Sequence, residues 1–228
     1  MLLAIHDLTF RFRGKTIFQH ATMHLKQPGV YSLVAPNGYG KTTLLNLLTG
    51  LLQPQSGLIQ LLDKPITSQL IFQKVAYLQD NSVLYPYLTG QQHLDFLTAV
   101  HRLNPRSVAA IADQLQTTDF LTQRVGKYSL GMKQRLLLVM ALVVKPTILL
   151  LDEPLNGLDP TSLQLVREVI LTLAHQDVAV LISSHNLDEL MKVTQHYFFI
   201  TGQQIHEEVL GPNDSAEERY NALFATSR

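Results

Sequence analysis

Val30-Tyr31-Ser32-Leu33-Val34 runs directly into Ala35-Pro36-Asn37-Gly38-Tyr39-Gly40-Lys41-Thr42-Thr43. The first five residues are largely apolar and predict a strand. Lys41 to Leu48 predicts a helix, closed by Gly50. A strand, a glycine-containing loop and a helix that opens on lysine and threonine form the context a phosphate-binding loop requires. Backbone N–H groups of the loop and helix start would point at phosphate oxygens, and the helix dipole favours their charge. Lys41 would reach the β- and γ-phosphates, the Thr42 hydroxyl would ligate Mg²⁺, and Thr43 would hold another phosphate. Two residues depart from the usual pattern. Ala35 stands where glycine is common; its methyl costs little at negative φ and strains the loop at positive φ. Tyr39 stands where a small residue is normal.

The chain has 228 residues, 46% hydrophobic and only 16% charged. That balance argues for a folded protein with one sizeable core, or one core with a lobe attached, and against disorder. Formal net charge is zero, so bulk electrostatics points to no nucleic-acid partner. The low surface charge also predicts apolar surface covered by another chain. There is no cysteine, which excludes disulfides, thiolate catalysis and cysteine-based metal sites. Met1 to Asp7 has no basic region and does not read as a signal peptide. The longest apolar run, Leu136 to Val144, falls well short of the roughly 20 residues of a membrane-spanning helix.

Outward from the loop, residues 2–34 predict three strands, with turns at Arg13-Gly14-Lys15 and Gln27-Pro28-Gly29. Leu58 to Leu62 and Lys74 to Leu78 also read as strands. From Leu84 to about Val144 the spacing turns helical, in Gln91 to Leu103, Arg106 to Gln116 and the apolar stretch after Ser129. Alternation returns after Pro146: strand Ile148–Leu151, helix Ser162–Ala174, strand Val178–Ser183, helix Leu187–Val193 and strand Tyr197–Ile200. Strand and helix in turn predict a parallel sheet wrapped by helices. The division expected is an α/β core over residues 1–83 and 145–210, a helical lobe over 84–144, and a polar tail over 211–228 with a short helix at Ala216 to Phe224.

Ile148-Leu149-Leu150-Leu151 is apolar on both faces, as a central parallel strand should be. It delivers Asp152 and Glu153 to the carboxyl end of the sheet, where ligands of open α/β folds bind. Asp152 suits an outer-shell hold on Mg²⁺, and Glu153 a general base for an attacking water. Alone, the two acids read equally well as a strand cap.

Ser129-Leu130-Gly131-Met132-Lys133-Gln134-Arg135, then Leu151-Asp152-Glu153-Pro154, Gly157-Leu158-Asp159-Pro160 and Ser183-Ser184-His185 follow one another in order. With the phosphate loop and Gln79 they resemble the ATP-binding-cassette (ABC) family of transporter ATPases, from about Leu3 to about Ile205. The family implies a P-loop NTPase core, with a RecA-like parallel sheet, an antiparallel β subdomain and an inserted helical lobe. It implies ATP and Mg²⁺ as cofactors. By resemblance, Ser129, Leu130, Gly131 and Met132 form the signature segment that binds ATP held by a second ATP-binding subunit. Ser129 is also a good N-cap, and its helix would turn bare N–H groups toward an anion. Gln79 looks like the residue that touches Mg²⁺ and links core to lobe. Asp159 looks like the acid coupling two active sites, and equally like an N-cap before Pro160. His185 looks like the γ-phosphate switch. Phe12 looks like the aromatic that stacks on adenine, with Phe10 a weaker candidate and core packing an alternative for either.

Leu130 and Met132 make the signature similar to a branch that exports drugs, bacitracin and lantibiotics. The resemblance thus implies separate transmembrane subunits and a position on the inner face of the cell membrane. Asn81 to Leu88, with Tyr85 and Tyr87, is the expected docking surface. Two other readings are a soluble ABC ATPase acting on ribosomes or DNA, and a weakly hydrolytic regulatory subunit. The first lacks a second cassette, a coiled-coil insertion and a basic patch. Only Ala35 and Tyr39 favour the second.

Overall fold

The computed structural model describes residues 1–211 and 214–224. The alternating N-terminal third forms β1 (Leu3–Phe12), β2 (Lys15–Leu25) and β3 (Gly29–Val34), followed by α1 (Lys41–Leu48). Next come β4 (Ser56–Leu61), β5 (Lys64–Pro65), α2 (Ser68–Lys74) and β6 (Val75–Leu78). The helical stretch holds α3 (Gly90–His101), α4 (Pro105–Gln114) and α5 (Leu130–Leu142). The chain ends with β7 (Ile148–Asp152), α6 (Pro160–Ala174), β8 (Ala179–Ser183), α7 (Leu187–Met191), β9 (His196–Thr201), β10 (Gln204–Val209) and α8 (Ala216–Phe224).

Two sheets result. The order β2-β1-β4-β5 is antiparallel throughout. The larger sheet runs β10-β9-β3-β8-β7-β6; it is parallel from β9 to β6, with β10 added antiparallel at one edge. The parallel strands are apolar on both faces because both faces are covered. Leu149, Leu151, Val180 and Ile182 face a core layer shared with α5 and α6. Leu150, Leu181, Leu33 and Phe198 face the opposite layer, which α1 and the antiparallel sheet complete. The consequence for function is positional: the carboxyl ends of β3, β6, β7 and β8 reach one sheet edge, beside the start of α1.

Helix α2, the two-residue strand β5 and strand β10 were not part of the sequence reading. The strand expected from Lys74 starts at Val75, because Ser68–Lys74 is a helix capped by the Thr67 hydroxyl. That helix fully buries none of its residues and packs Leu70 partly on the core. β10 was not expected, since His206-Glu207-Glu208 alternates weakly; β9 supplies its hydrogen bonds through a hairpin turn at Gly202-Gln203. The tail helix spans the residues expected, and it packs onto the fold: Ala216 and Phe224 are buried in the core layer beside α7. Positions 212–213 and 225–228 of that tail lie outside the described residues.

Because β7 is covered on both sides, Leu149→Ala and Leu150→Ala should each destabilise the fold by about 2–5 kcal/mol in urea unfolding. A strand with one solvated face would lose that much at only one of the two positions.

Candidate nucleotide site

The loop after β3 turns through two left-handed glycines, Gly38 at φ 81° and Gly40 at φ 112°. A side chain at Gly40 would be strained in this conformation, and its Cβ would lie 2.6 Å from Ile17 Cγ2. Ala35 is buried and is not among the positive-φ residues, so its methyl fits without backbone strain. The departure at Ala35 therefore costs the loop nothing.

The start of α1 is bare. Its N-cap, Gly40, has no side chain to accept from the first-turn N–H groups. Helices α2 to α7 are each capped by a side-chain oxygen, from Thr67, Thr89, Asn104, Ser129, Asp159 and Asn186 in turn. Ser215 Oγ likewise accepts from the Glu218 N–H at the start of α8, so among the described α-helices only α1 begins without a side-chain acceptor. At this one the free N–H groups and positive dipole end face the carboxyl edge of the sheet.

Side chains from three strand ends complete the site. Thr42 Oγ1 donates to Asp152 Oδ2 at 2.7 Å, and Ser183 Oγ donates to Asp152 Oδ1. Lys41 is only 7% exposed; its Nζ donates to the Ala35 carbonyl at 2.8 Å and lies 3.7 Å from Glu153 Oε1. Glu153 itself adopts φ 51°, a left-handed conformation that costs a non-glycine residue roughly 1–3 kcal/mol. Its backbone N–H donates to the Ser183 carbonyl at 3.0 Å. Its Oε2 accepts from Asn156 Nδ2 at 2.9 Å and from the His185 backbone N–H at 3.3 Å. His185 Nδ1 stands 3.1 Å from the same oxygen, so the tautomer carrying a proton on Nδ1 fits a carboxylate that can only accept. One carboxylate oxygen is thus held from three sides and the other faces Lys41.

Two of these partners, Ser183 and Asn156, were not assigned roles from sequence. Ser183 was legible only as the end of a β-run, and Asn156 only as a loop residue three positions after Glu153. Tyr77 was also missed. Its hydroxyl is buried without a hydrogen-bond partner. Burial first, and the Asp152 charge second, push its pKa up to about 12, so it remains a donor at neutral pH.

The remaining expected residues fall around this centre. Gln79, at the end of β6, donates from Nε2 to Asn46 Oδ1 of α1 at 3.3 Å. Phe12 is 50% exposed with the Arg13 guanidinium 5.5 Å from its ring centre, whereas Phe10 is 4% exposed and belongs to the core. Of the two aromatics, only Phe12 presents a ring face to solvent. A cavity of about 370 Å³ lies alongside, lined by Lys15, Thr16 and Ile17 of β2, Gly38 and Tyr39 of the loop, and the β9–β10 turn.

The start of α5 has the expected N-cap: Ser129 Oγ accepts from the Met132 N–H at 3.2 Å, one of the first-turn donors. A hydroxyl can still donate outward while it accepts. Gly131 serves close packing, since a Cβ there would lie 2.3 Å from Ser162 Oγ and 3.1 Å from Asp159 Oδ2. Leu130 is partly exposed and lies against the Gly157 turn. Asp159 caps α6 through Ser162 N–H and Oγ, at 3.0 and 2.7 Å.

An uncapped helix after a glycine loop, facing acidic strand ends, defines a nucleotide-binding protein of the phosphate-loop class. Residues 18–156 match the family described as "ABC transporter". The lantibiotic transport ATP-binding protein SrtF of Streptococcus pyogenes is 30% identical over 221 residues, 96% of either chain. The bacitracin transport ATP-binding protein BcrA of Bacillus licheniformis is 31% identical over 219 residues, 93% of this chain and 70% of that protein. A solved ATP-binding subunit of an ABC transporter has the same fold, with a TM-score of 0.88 at 22% identity over 98% of this chain and 99% of its own. The chain belongs to the ABC transporter ATP-binding family.

The Ser162 backbone N–H, and then its hydroxyl, hold the Asp159 carboxyl below the usual aspartate range. The cap's contribution is therefore complete above the ordinary pKa and is lost as pH falls through the lowered one. Ser162→Ala should raise the Asp159 midpoint toward its ordinary value, read by NMR titration, and shift that loss to higher pH.

Proposed function

We propose that this chain binds Mg²⁺ and ATP at the start of α1, hydrolyses the nucleotide, and drives transmembrane partners with the resulting cycle. The observation that carries the reading is the bare N-terminus of α1, aimed at a sheet edge that holds Lys41, Asp152, Glu153 and His185. The polyphosphate would take the N–H groups of Gly38 to Thr43. Lys41 would exchange the Ala35 carbonyl for phosphate oxygens. Phe12 would stack on the base, with the ribose in the cavity beside Tyr39 and Ile17.

The donor set suits a hard cation, because Thr42, Asp152 and Gln79 offer only oxygens at this edge. Thr42 and Gln79 would bind Mg²⁺ directly and Asp152 through water, while the buried Tyr77 hydroxyl is a spare donor beside Asp152. Bound there, the ion would neutralise charge on the phosphate oxygens. Glu153 Oε1 would accept the proton of the attacking water, while Asn156 and His185 hold Oε2 still. His185 would turn Nε2 toward the γ-phosphate and donate to it in the imidazolium form, in which both ring nitrogens carry protons.

Ser129, Leu130, Gly131 and Met132 would meet ATP bound to a second ATP-binding subunit, and Asp159 would couple the two sites. Nucleotide then supplies part of the contact, so closure follows binding and reopening follows hydrolysis. Partner helices would dock on the Asn81 to Leu88 segment, where Tyr85 and Tyr87 are exposed, and on the apolar strip that continues from it along α3. Tyr85 stacks near His93, Phe96 and Val100 continue the exposed face, and Phe72 of α2 stacks on His101 at 4.2 Å between ring centres. No helix among the described residues is long and apolar enough to cross a membrane. The chain would therefore sit on the inner face of the membrane through those partners. Lantibiotic and bacitracin transport, in the names of SrtF and BcrA, support export of a peptide antibiotic or drug.

Loss of a positioned general base costs about 10²- to 10⁴-fold. Glu153→Gln should lower ATP turnover at least about 100-fold while ATP binding persists; equal turnover removes Glu153 from the mechanism. Charge at both Tyr85→Asp and Tyr87→Asp should abolish co-purification with the membrane subunit while soluble ATP binding is unchanged. Intact co-purification would move the docking surface elsewhere.

A further inference from the structure

Tyr39 is the single residue between Gly38 and Gly40, both in left-handed conformations. The glycines on either side offer no side chain to hold this segment; the Tyr39 N–H donates to the Pro36 carbonyl and the Gly40 carbonyl accepts from Leu44, and the Tyr39 ring is the side chain that ties the segment to the rest of the fold. That ring does not stand in solvent. It is partly buried and meets Phe224 of α8 edge-on, with ring centres 5.9 Å apart and planes at 90°. Phe224 is itself buried and packs on Tyr220, with 4.6 Å between ring centres. An edge-to-face pair at this spacing lies in the favourable range for aromatic rings.

The far side of this contact is also fixed. Arg219 of α8 forms a two-pronged ion pair with Glu208 of β10. Ala216 is fully buried, and α8 lies against α7. A planar two-pronged pair of this kind restrains orientation as well as distance. The path therefore runs from β10 through Arg219 to α8, and through Phe224 to the Tyr39 ring between the two glycines.

We infer that α8 is a positioning element for the phosphate loop: Phe224 holds Tyr39, and Tyr39 orients the N–H groups of Gly38 to Lys41. This rests on the reading of that loop as the nucleotide site. Neither Phe224 nor Tyr220 touches nucleotide; they act through Tyr39. By linkage, nucleotide that orders the loop also tightens the docking of α8.

The test uses the full chain and two readouts. Hydrogen exchange of residues 36–43 without nucleotide examines the contact itself. Titration with a fluorescent ATP analogue and Mg²⁺ examines its consequence. Phe224→Ala should speed exchange in 36–43 and weaken analogue binding roughly 3- to 10-fold, the effect of losing one aromatic pair. In turnover, KM should rise with kcat little changed. Tyr39→Phe keeps the ring and should leave exchange in 36–43 as slow as in wild type, while Tyr39→Ser should speed it as Phe224→Ala does. The double variant Tyr39→Ser with Phe224→Ala should lose no more than either alone. If Phe224→Ala unfolds, Phe224→Leu keeps the volume without the ring edge and should still speed loop exchange. Unchanged loop exchange and affinity in a folded Phe224 variant overturn the inference, as do additive losses in the double variant. A wild type that binds no ATP analogue would instead remove the nucleotide reading, and the exchange arm alone would then decide the contact.

Discussion

The uncapped first turn of α1 is the constraint around which the rest is arranged. Backbone N–H groups left without partners are unfavourable unless water or a ligand takes them. The seven other described α-helices each begin with a side-chain oxygen that accepts from the first turn, so the omission at Gly40 is local. Placing those donors at the carboxyl edge of a parallel sheet sets them opposite Asp152 and Glu153. The same edge thereby holds positive and negative groups that an anionic ligand with a bound cation could satisfy together.

The charges there are already engaged with one another. Lys41 is buried and bonds to a loop carbonyl, with Glu153 at 3.7 Å. A buried charge needs partners, and these are the ones at hand. Glu153 is held in an unfavourable backbone conformation by the Ser183 carbonyl and by three contacts on one carboxylate oxygen. Strain of this kind persists only where surroundings over-determine it. Here Asn156, Ser183 and His185 do so, and they leave the second carboxylate oxygen facing the space where a ligand would sit.

Much of the fold and site was legible because it depends on local pattern. The strand–loop–helix at Val30 to Leu48 and the double-faced apolar run at Ile148 to Leu151 each declare themselves within a few residues. Elements whose stability comes from elsewhere were not legible. Helix α2 fully buries no residue and rests on its cap and a partly buried Leu70, and β10 exists because β9 offers an edge. The choice between Phe10 and Phe12 was likewise open, since alternation alone does not say which ring faces the core.

By itself the sequence determined which residues carry charge, which turns need glycine and which strands are covered on both sides. Those properties follow from side-chain chemistry and from the two periods of strand and helix. Only the tertiary structure decided that Ser183 and Asn156 support the acidic strand end, that Ala35 sits without strain, and that the C-terminal helix returns to the phosphate loop. Tyr39 and Phe224 are 185 positions apart, and no local pattern couples them. They meet because β10 and α8 lay the end of the chain back against the loop at its start, where two glycines leave one aromatic ring to be held.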